Sequence, residues 1–409
     1  MLPGTEARGR ILLITAIAAA GLIQISIAAS QIFLGLGIAL LLVFERRLPF
    51  PRIWIPLAAL LFWTMLADLL DPDPWLGRAQ IKKFFVFLFI PLIYSVFREQ
   101  LERLFYLVAV WAAGAAVSSG IAVFQYLRHA HESYIAYVGQ RITGFESHWM
   151  TFGALELSVL LILVAHWCFA SRRLPVWAYL SAVLLAAAIL LGGTRSIWLA
   201  AIPSLLYLVW VWRPKMIFAV PLLAAIAFLA APHNVKTRVL STVHPNENID
   251  SNRFRQVTFR TGLEMIKAHP WFGVGPEEIR RNFDAYVPSD VKRPLPSGFY
   301  GHLHNIYVQY AAERGIPGLL CVLWFIGLAA YDFTRALFRI GQARSQQLFI
   351  LHAALAVIIA ILIEGAFEYN LGDSEVLMMF VTILALGYAA ISPRAFTSAC
   401  EYKSARYTS

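Results

Sequence analysis

The sequence predicts an all-α polytopic membrane protein of about twelve transmembrane helices with a partly helical external lobe. Three observations predict it. Hydrophobic residues make up 59% of the 409 and charged ones 14%, where soluble domains run about 45 to 50% and about 25%. Polar breaks cut the chain into runs of the length a bilayer needs, about 20 residues each. Lys and Arg gather in alternate breaks. Composition alone excludes a soluble enzyme, a disordered chain and a disulfide scaffold. The net charge of +10 is spread over short loops, so it does not mark a nucleic-acid partner. Cys168 and Cys321 sit in apolar runs and Cys400 in a polar tail, which makes no disulfide framework.

The apolar runs lie near 11–29, 31–44, 53–70, 82–97, 104–127, 149–170, 175–192, 195–212, 216–231, 304–333, 347–366 and 375–392. Arg8 and Arg10 precede the first, whose Ala28-Ala29-Ser30 end resembles a signal-peptide cleavage site. A second run follows at once, so the first is read as a retained helix. The second is short for a straight crossing, and only Gly192-Gly193-Thr194-Arg195 separates the seventh from the eighth. The chain then divides into helices 1–9 over 1–231, a lobe over 232–303, helices 10–12 over 304–392 and a tail over 393–409.

Orientation follows from Lys and Arg in short loops rather than from net charge. With the N-terminus inside, the even-numbered breaks hold Arg46, Arg47, Arg52, Arg98, Arg103, Arg172, Arg173, Arg213, Lys215, Arg335, Arg339 and Arg344. Arg394, Lys403 and Arg406 follow in the tail, so both termini are expected on the cytoplasmic side and the lobe outside. Within the lobe, Phe254, Val257, Phe259, Leu263 and Ile266 recur at roughly helical spacing, and His269-Pro270 stops that helix. Gly273-Val-Gly275-Pro276 reads as a turn, and Pro288, Pro294, Pro296 and Gly298 as an irregular, lid-like stretch.

The chemistry is expected on the external side. His304-Asn305 stands where the lobe becomes a membrane helix, nine residues before Gly315-Ile316-Pro317-Gly318. An imidazole there can take a proton from a sugar hydroxyl near neutral pH, with Asn305 orienting it; a plain helix cap is the alternative. Arg195 opens a span in a loop where the positive-inside bias disfavours it. A guanidinium fork and a helix N-terminus both suit phosphate, although headgroup anchoring explains the same position. Arg141 and Arg255 are further external arginines, and with Arg195 they suggest a cationic pocket for a diphosphate. Arg260, five residues on from Arg255, faces another part of the helical surface and is at most supporting.

Competing constellations are weaker. Asp71-Pro72-Asp73 has the form of a divalent-cation clamp, but its prolines read more simply as a turn. His302-Leu303-His304 lacks a neighbouring Cys, Asp or Glu to complete a metal-ligand set. No metal site and no cofactor are therefore expected. Glu364 and Glu368, four apart, would share a helix face and mark the interface. Lys82 and Lys83 read as snorkelling residues. Glu156, His166 and His352 are the other ionisable groups inside spans, too few for an ion-coupled transporter.

Taken together, several motifs resemble the O-antigen ligase and polymerase superfamily of bacterial envelope glycosyltransferases. They are His304-Asn305 before Gly315-x-x-Gly318, Gly193-Thr194-Arg195-Ser196, Arg141-Ile-Thr-Gly144-Phe, and Arg255 ahead of His269-Pro270-Trp-Phe-Gly273-Val-Gly275. Leu319 follows Gly318 where many members carry a second glycine, a departure that touches packing rather than chemistry. The resemblance implies a GT-C-like, metal-independent, inverting glycosyltransferase of the bacterial inner membrane with its active site on the periplasmic side. It implies transfer of a glycan from undecaprenyl diphosphate to lipid A-core, in lipopolysaccharide biosynthesis. His304 is then the general base, and Arg195, Arg255 and Arg141 hold the diphosphate. The long lobe and the lack of a large C-terminal soluble domain favour a ligase. A repeat-unit polymerase or protein O-oligosaccharyltransferase of the same superfamily is the alternative, and a lipid or polysaccharide transporter is the alternative of another class.

Overall fold

The computed structural model describes residues 4–71, 73, 77–129, 131–242, 244, 252–341 and 343–393. Pro72, Ser251, Cys400 and the basic residues of the tail lie outside these. The described residues form helices and no strand. In order they are α1 (Thr5–Gly21), α2 (Ile27–Glu45), α3 (Trp54–Leu69), α4 (Arg78–Lys83), α5 (Phe89–Phe97), α6 (Leu104–His129), α7 (Tyr134–Gly139), α8 (Trp149–Phe169), α9 (Val176–Leu191), α10 (Arg195–Trp212) and α11 (Ala219–Ala230). The lobe supplies α12 (His233–Leu240), α13 (Asn252–Ala268) and α14 (Ile279–Asn282), and the bundle resumes with α15 (Ile306–Leu337), α16 (Gln346–Gly365) and α17 (Ser374–Ala390).

Every apolar run of the sequence is largely helical, although the first helix ends at Gly21, the second starts at Ile27, and the run 82–97 is divided between α4, a 3-10 turn and α5. Among the described residues seven helical segments are long and apolar enough to cross a bilayer, and α3, α9, the segment Pro214–Ala230 and α17 are shorter apolar helices. The chain is thus an all-helical, polytopic integral membrane protein. α8, α16 and α17 are apolar on all sides and almost wholly buried, as helices at the centre of a bundle must be. Their neighbours turn side chains such as Ile32, Phe62, Phe124, Val183 and Leu222 outward, where hydrocarbon rather than water has to cover them.

The segment after α10 shows how a short helix still returns. Arg195, at the start of α10, bonds to the lobe through Asn252. Eighteen residues of α10 rise about 27 Å to the far end of the bundle. Ala231 and Val235 pack back against Tyr137 and Ala188 on the lobe side. Pro214–Ala230 therefore runs the height of the bundle, with no residue of α11 buried. The far end also gathers Arg52, Arg335 and Arg339 around one cavity.

The lobe helix expected up to His269-Pro270 is present as α13. Its buried stripe includes Phe254, Val257, Thr258, Thr261 and Met265, an i, i+3, i+4, i+7, i+11 set, with Phe259 and Leu263 exposed beside it. One expectation needs correction: the span from 304 is not one rod. α15 breaks at Gly315, whose φ of 70° and ψ of 176° suit only a residue without a Cβ. A Cβ there would overlap the Trp271 carbonyl. Into that break the turn 270–275 inserts: Pro270 O accepts from Ile316 N at 2.8 Å, and Val274 N donates to Ala312 O at 2.8 Å. The two glycine motifs that look separate in sequence are one joint, which fastens the lobe to the helix carrying the candidate site.

Candidate functional site

The site begins where α15 begins. Asn305 adopts an extended conformation as the N-cap, and its Oδ1 accepts from Tyr307 N at 2.9 Å and Val308 N at 3.0 Å. Its Nδ2 donates to Ala366 O at 2.9 Å, which ties the helix start to the loop after α16. Gln309 Oε1 accepts from Leu303 N at 2.7 Å. Between these anchors His304 holds a φ of 50°, an uncommon conformation for a residue with a Cβ that is sustained where surroundings fix it. α13 crosses close above because Gly262 leaves room for Val308 and Leu303. The His304 ring then lies edge-on to Phe254 and 4.0 Å from the His302 ring, centre to centre.

Glu368 is the partner that sequence reasoning missed. α16 stops at Gly365, so Glu368 leaves the helix and does not share a face with Glu364. Its buried carboxylate accepts from His304 Nδ1 at 3.0 and 3.1 Å, from Tyr369 N at 3.1 Å and from Arg255 Nη2 at 3.4 Å. Burial alone would raise its pKa; the bond from His304 and the charges of His304 and Arg255 outweigh burial and hold it near 2. A carboxylate fixed in its anionic form favours a proton on His304 Nδ1 and leaves Nε2 as the nitrogen open to exchange. Nε2 faces the Phe299 carbonyl at 3.3 Å. Both ring nitrogens thus face acceptors, Nδ1 the Glu368 carboxylate and Nε2 the Phe299 carbonyl.

The arginines are brought together in part. Arg195 and Arg255 line one cavity of about 280 Å³ whose walls include Leu199 and Phe367. Arg195 is buried, and its Nη1 donates to Ser241 O at 2.9 Å and its Nη2 to Asn252 Oδ1 at 2.6 Å. In this state it also fastens α10 to the lobe. Arg141 stacks on Trp149 at 4.6 Å and donates from Nε to Val138 O at 3.1 Å. Burial and the nearby charges of Arg238, Arg255 and Arg195 depress its pKa to about 9. Buried Arg238, which the sequence reading did not single out, donates to Gly193 O at 3.1 Å. Arg260 is not part of the group: its Nη2 binds the Asp290 carboxylate at 2.8 and 2.9 Å on the lobe surface.

Other groups separate into structural and unassigned. Asp71 Oδ1 accepts from Asp73 N at 2.8 Å, and Asp73 pairs with Arg281 at 2.8 Å, so this pair closes a turn and holds the lobe. Glu146 is pushed up to about 8 by burial and by the charges of Glu375 and Asp373. Asp373 accepts from Thr151 Oγ1 at 2.8 Å. The expectation of no metal-ligand set needs revision, because Glu368 supplies from 64 positions away the carboxylate missing beside His302 and His304.

An all-helical integral membrane protein with a histidine–carboxylate pair next to an arginine-lined cavity has the parts for proton transfer on an anionic, membrane-held substrate. Residues 180–323 match the family described as O-antigen ligase. The matched segment, from within α9 to the first turns beyond the α15 break, includes Arg195, Arg255 and His304, and over it the chain is similar to that family. No curated protein matches the chain.

Proposed function

We propose that the protein is an inverting O-antigen ligase acting at the periplasmic face of the bacterial inner membrane. In this reading it moves a glycan from undecaprenyl diphosphate to a sugar hydroxyl of lipid A-core. The observation that carries it is the single cavity shared by Arg195 and Arg255, with Arg255 also bound to the carboxylate that orients His304. A cationic floor beside apolar walls fits a diphosphate on a hydrocarbon chain, and a ligand of that kind reaches the cavity sideways from the outer leaflet.

The steps follow from these residues. His304 Nε2 takes the proton of the acceptor hydroxyl. The oxygen attacks the anomeric carbon from the face opposite the diphosphate, the carbon–oxygen bond to the diphosphate breaks, and its electron pair leaves on the diphosphate oxygen with inversion. Arg195 and Arg255, with Arg141 behind them, stabilise the charge that grows there, and a lipid diphosphate is a good enough leaving group for fixed cations to serve without a metal. Glu368 stabilises the imidazolium that forms. Arg255 is already desolvated; burial lowers its pKa and the adjacent Glu368 carboxylate raises it, burial being the larger effect.

The ligase and polymerase alternatives differ only in the acceptor. Purified protein given a lipid-diphosphate-linked glycan should form a slower-migrating product only when lipid A-core is added. Lengthening of the donor glycan in the absence of lipid A-core would replace the ligase assignment with a polymerase.

A further inference from the structure

We propose that His302, His304 and Glu368 bind a divalent transition metal of the zinc class, and that the bound ion switches the site off. The inhibitory consequence rests on His304 being the base; the binding itself does not. One ligand atom from each of the three residues lies within 4.8 Å of the others, and Nδ1 is the nitrogen that each histidine turns toward Glu368. Glu368 Oε1 lies 3.0 Å from His304 Nδ1 and 3.9 Å from His302 Nδ1. Ligands about 2.0 to 2.2 Å from a tetrahedral zinc stand roughly 3.4 Å apart, so shifts of about an ångström close the set. His302 Nδ1 is buried with no hydrogen-bond partner, so ligation costs it no existing bond. Arg255 binds the other carboxylate oxygen, Oε2, while Oε1, which accepts from Tyr369 N, faces both histidines. Two imidazoles and one carboxylate select zinc, cobalt or nickel over magnesium and calcium, which prefer all-oxygen shells.

Inhibition follows from tautomer chemistry. The active ring carries its proton on Nδ1, bonded to Glu368, and offers the Nε2 lone pair. A metal on Nδ1 takes the lone pair there, so the neutral ring's single proton moves from Nδ1 to Nε2 by exchange through solvent, with no net proton released. The nitrogen aimed at the acceptor hydroxyl is then a donor. Glu368, drawn to the metal, no longer supports an imidazolium.

The test uses the full chain in nanodiscs, stripped with a chelator and titrated with zinc against a chromophoric chelator. We expect one zinc per chain and, for His302→Gln, binding at least about tenfold weaker. Cobalt supplies a measurement that needs no variant: visible absorption bands of a tetrahedral, histidine-bound ion should appear on the unmodified protein. In transfer assays, zinc should silence the unmodified protein, chelator should restore it, and His302→Gln should keep working at that zinc concentration. Absence of zinc and cobalt binding, or equal zinc affinity in both proteins, overturns the metal site. Zinc binding by a protein that transfers no glycan would leave the metal site standing and overturn the catalytic reading. Transfer indifferent to bound zinc would overturn the inhibition.

Discussion

His304 Nδ1 lies 3.0 and 3.1 Å from the two carboxylate oxygens of Glu368, although 64 positions separate the residues. The pair is assembled by two helix ends: Asn305 caps α15 and bonds across to Ala366, just beyond α16. Glu368→Gln removes the anion that fixes the proton on Nδ1 and supports the imidazolium. Transfer should fall about 10²- to 10⁴-fold, with the melting temperature of the purified protein close to that of the unmodified chain. Unchanged turnover would remove Glu368 from the mechanism.

The arginines should separate by position. Arg255→Ala, which takes a cation from the cavity and a partner from Glu368, is expected to lower kcat about 10²- to 10³-fold, the usual effect of losing one donor to a developing anion. Arg260→Ala removes only an exposed pair with Asp290 and should leave kcat within about twofold. Steady-state kinetics with a lipid-diphosphate-linked donor distinguishes them, and equal losses would argue against a cavity centred on Arg255.

Gly315→Ala tests the joint between lobe and bundle. The left-handed φ and the Trp271 carbonyl against the missing Cβ predict a loss of at least about 1 to 3 kcal/mol, read as a lower melting temperature and as proteolysis within the lobe. A neutral outcome would mean that the turn 270–275 does not hold the helix break.

The pH dependence of stability has a definite sign at Glu146. Burial, with Glu375 and Asp373 nearby, raises its pKa to about 8 in the folded chain, against about 4.3 when unfolded. Between those values the folded state holds the extra proton, so stability from this group is full below pH ~4.3 and declines until about pH 8. Thermal melts from pH 5 to 9 should show that decline, and Glu146→Gln should flatten it. An unaltered slope in the variant would assign the decline to another group.

The helices and the positions of His304, Arg195, Arg255 and Arg141 were legible because each has a local signature: an apolar run, a break, or a charge where a membrane disfavours one. Glu368 was not, because four-residue spacing after Glu364 implies a continuing helix, and only the end of α16 at Gly365 turns it toward His304. Its signal was nonetheless present, as an acidic residue at the outer end of a span that has to find a cation or donor once buried. The break at Gly315 was hidden for a related reason. A glycine and a proline two residues apart read as a motif, whereas the segment that fills the break, 270–275, lies far away in sequence. Arg260 was legible as well: five residues on from Arg255, it falls on another part of the helical surface, where it pairs with Asp290.

The central claim is that a histidine held by a carboxylate deprotonates the acceptor without a metal. Its most direct test is glycan transfer from the lipid diphosphate to lipid A-core by purified protein in EDTA, comparing the unmodified chain with His304→Ala. The account predicts product from the unmodified chain and at least about 10²-fold less from the variant. Equal transfer by the two proteins, or transfer abolished by EDTA in the unmodified chain, would contradict it.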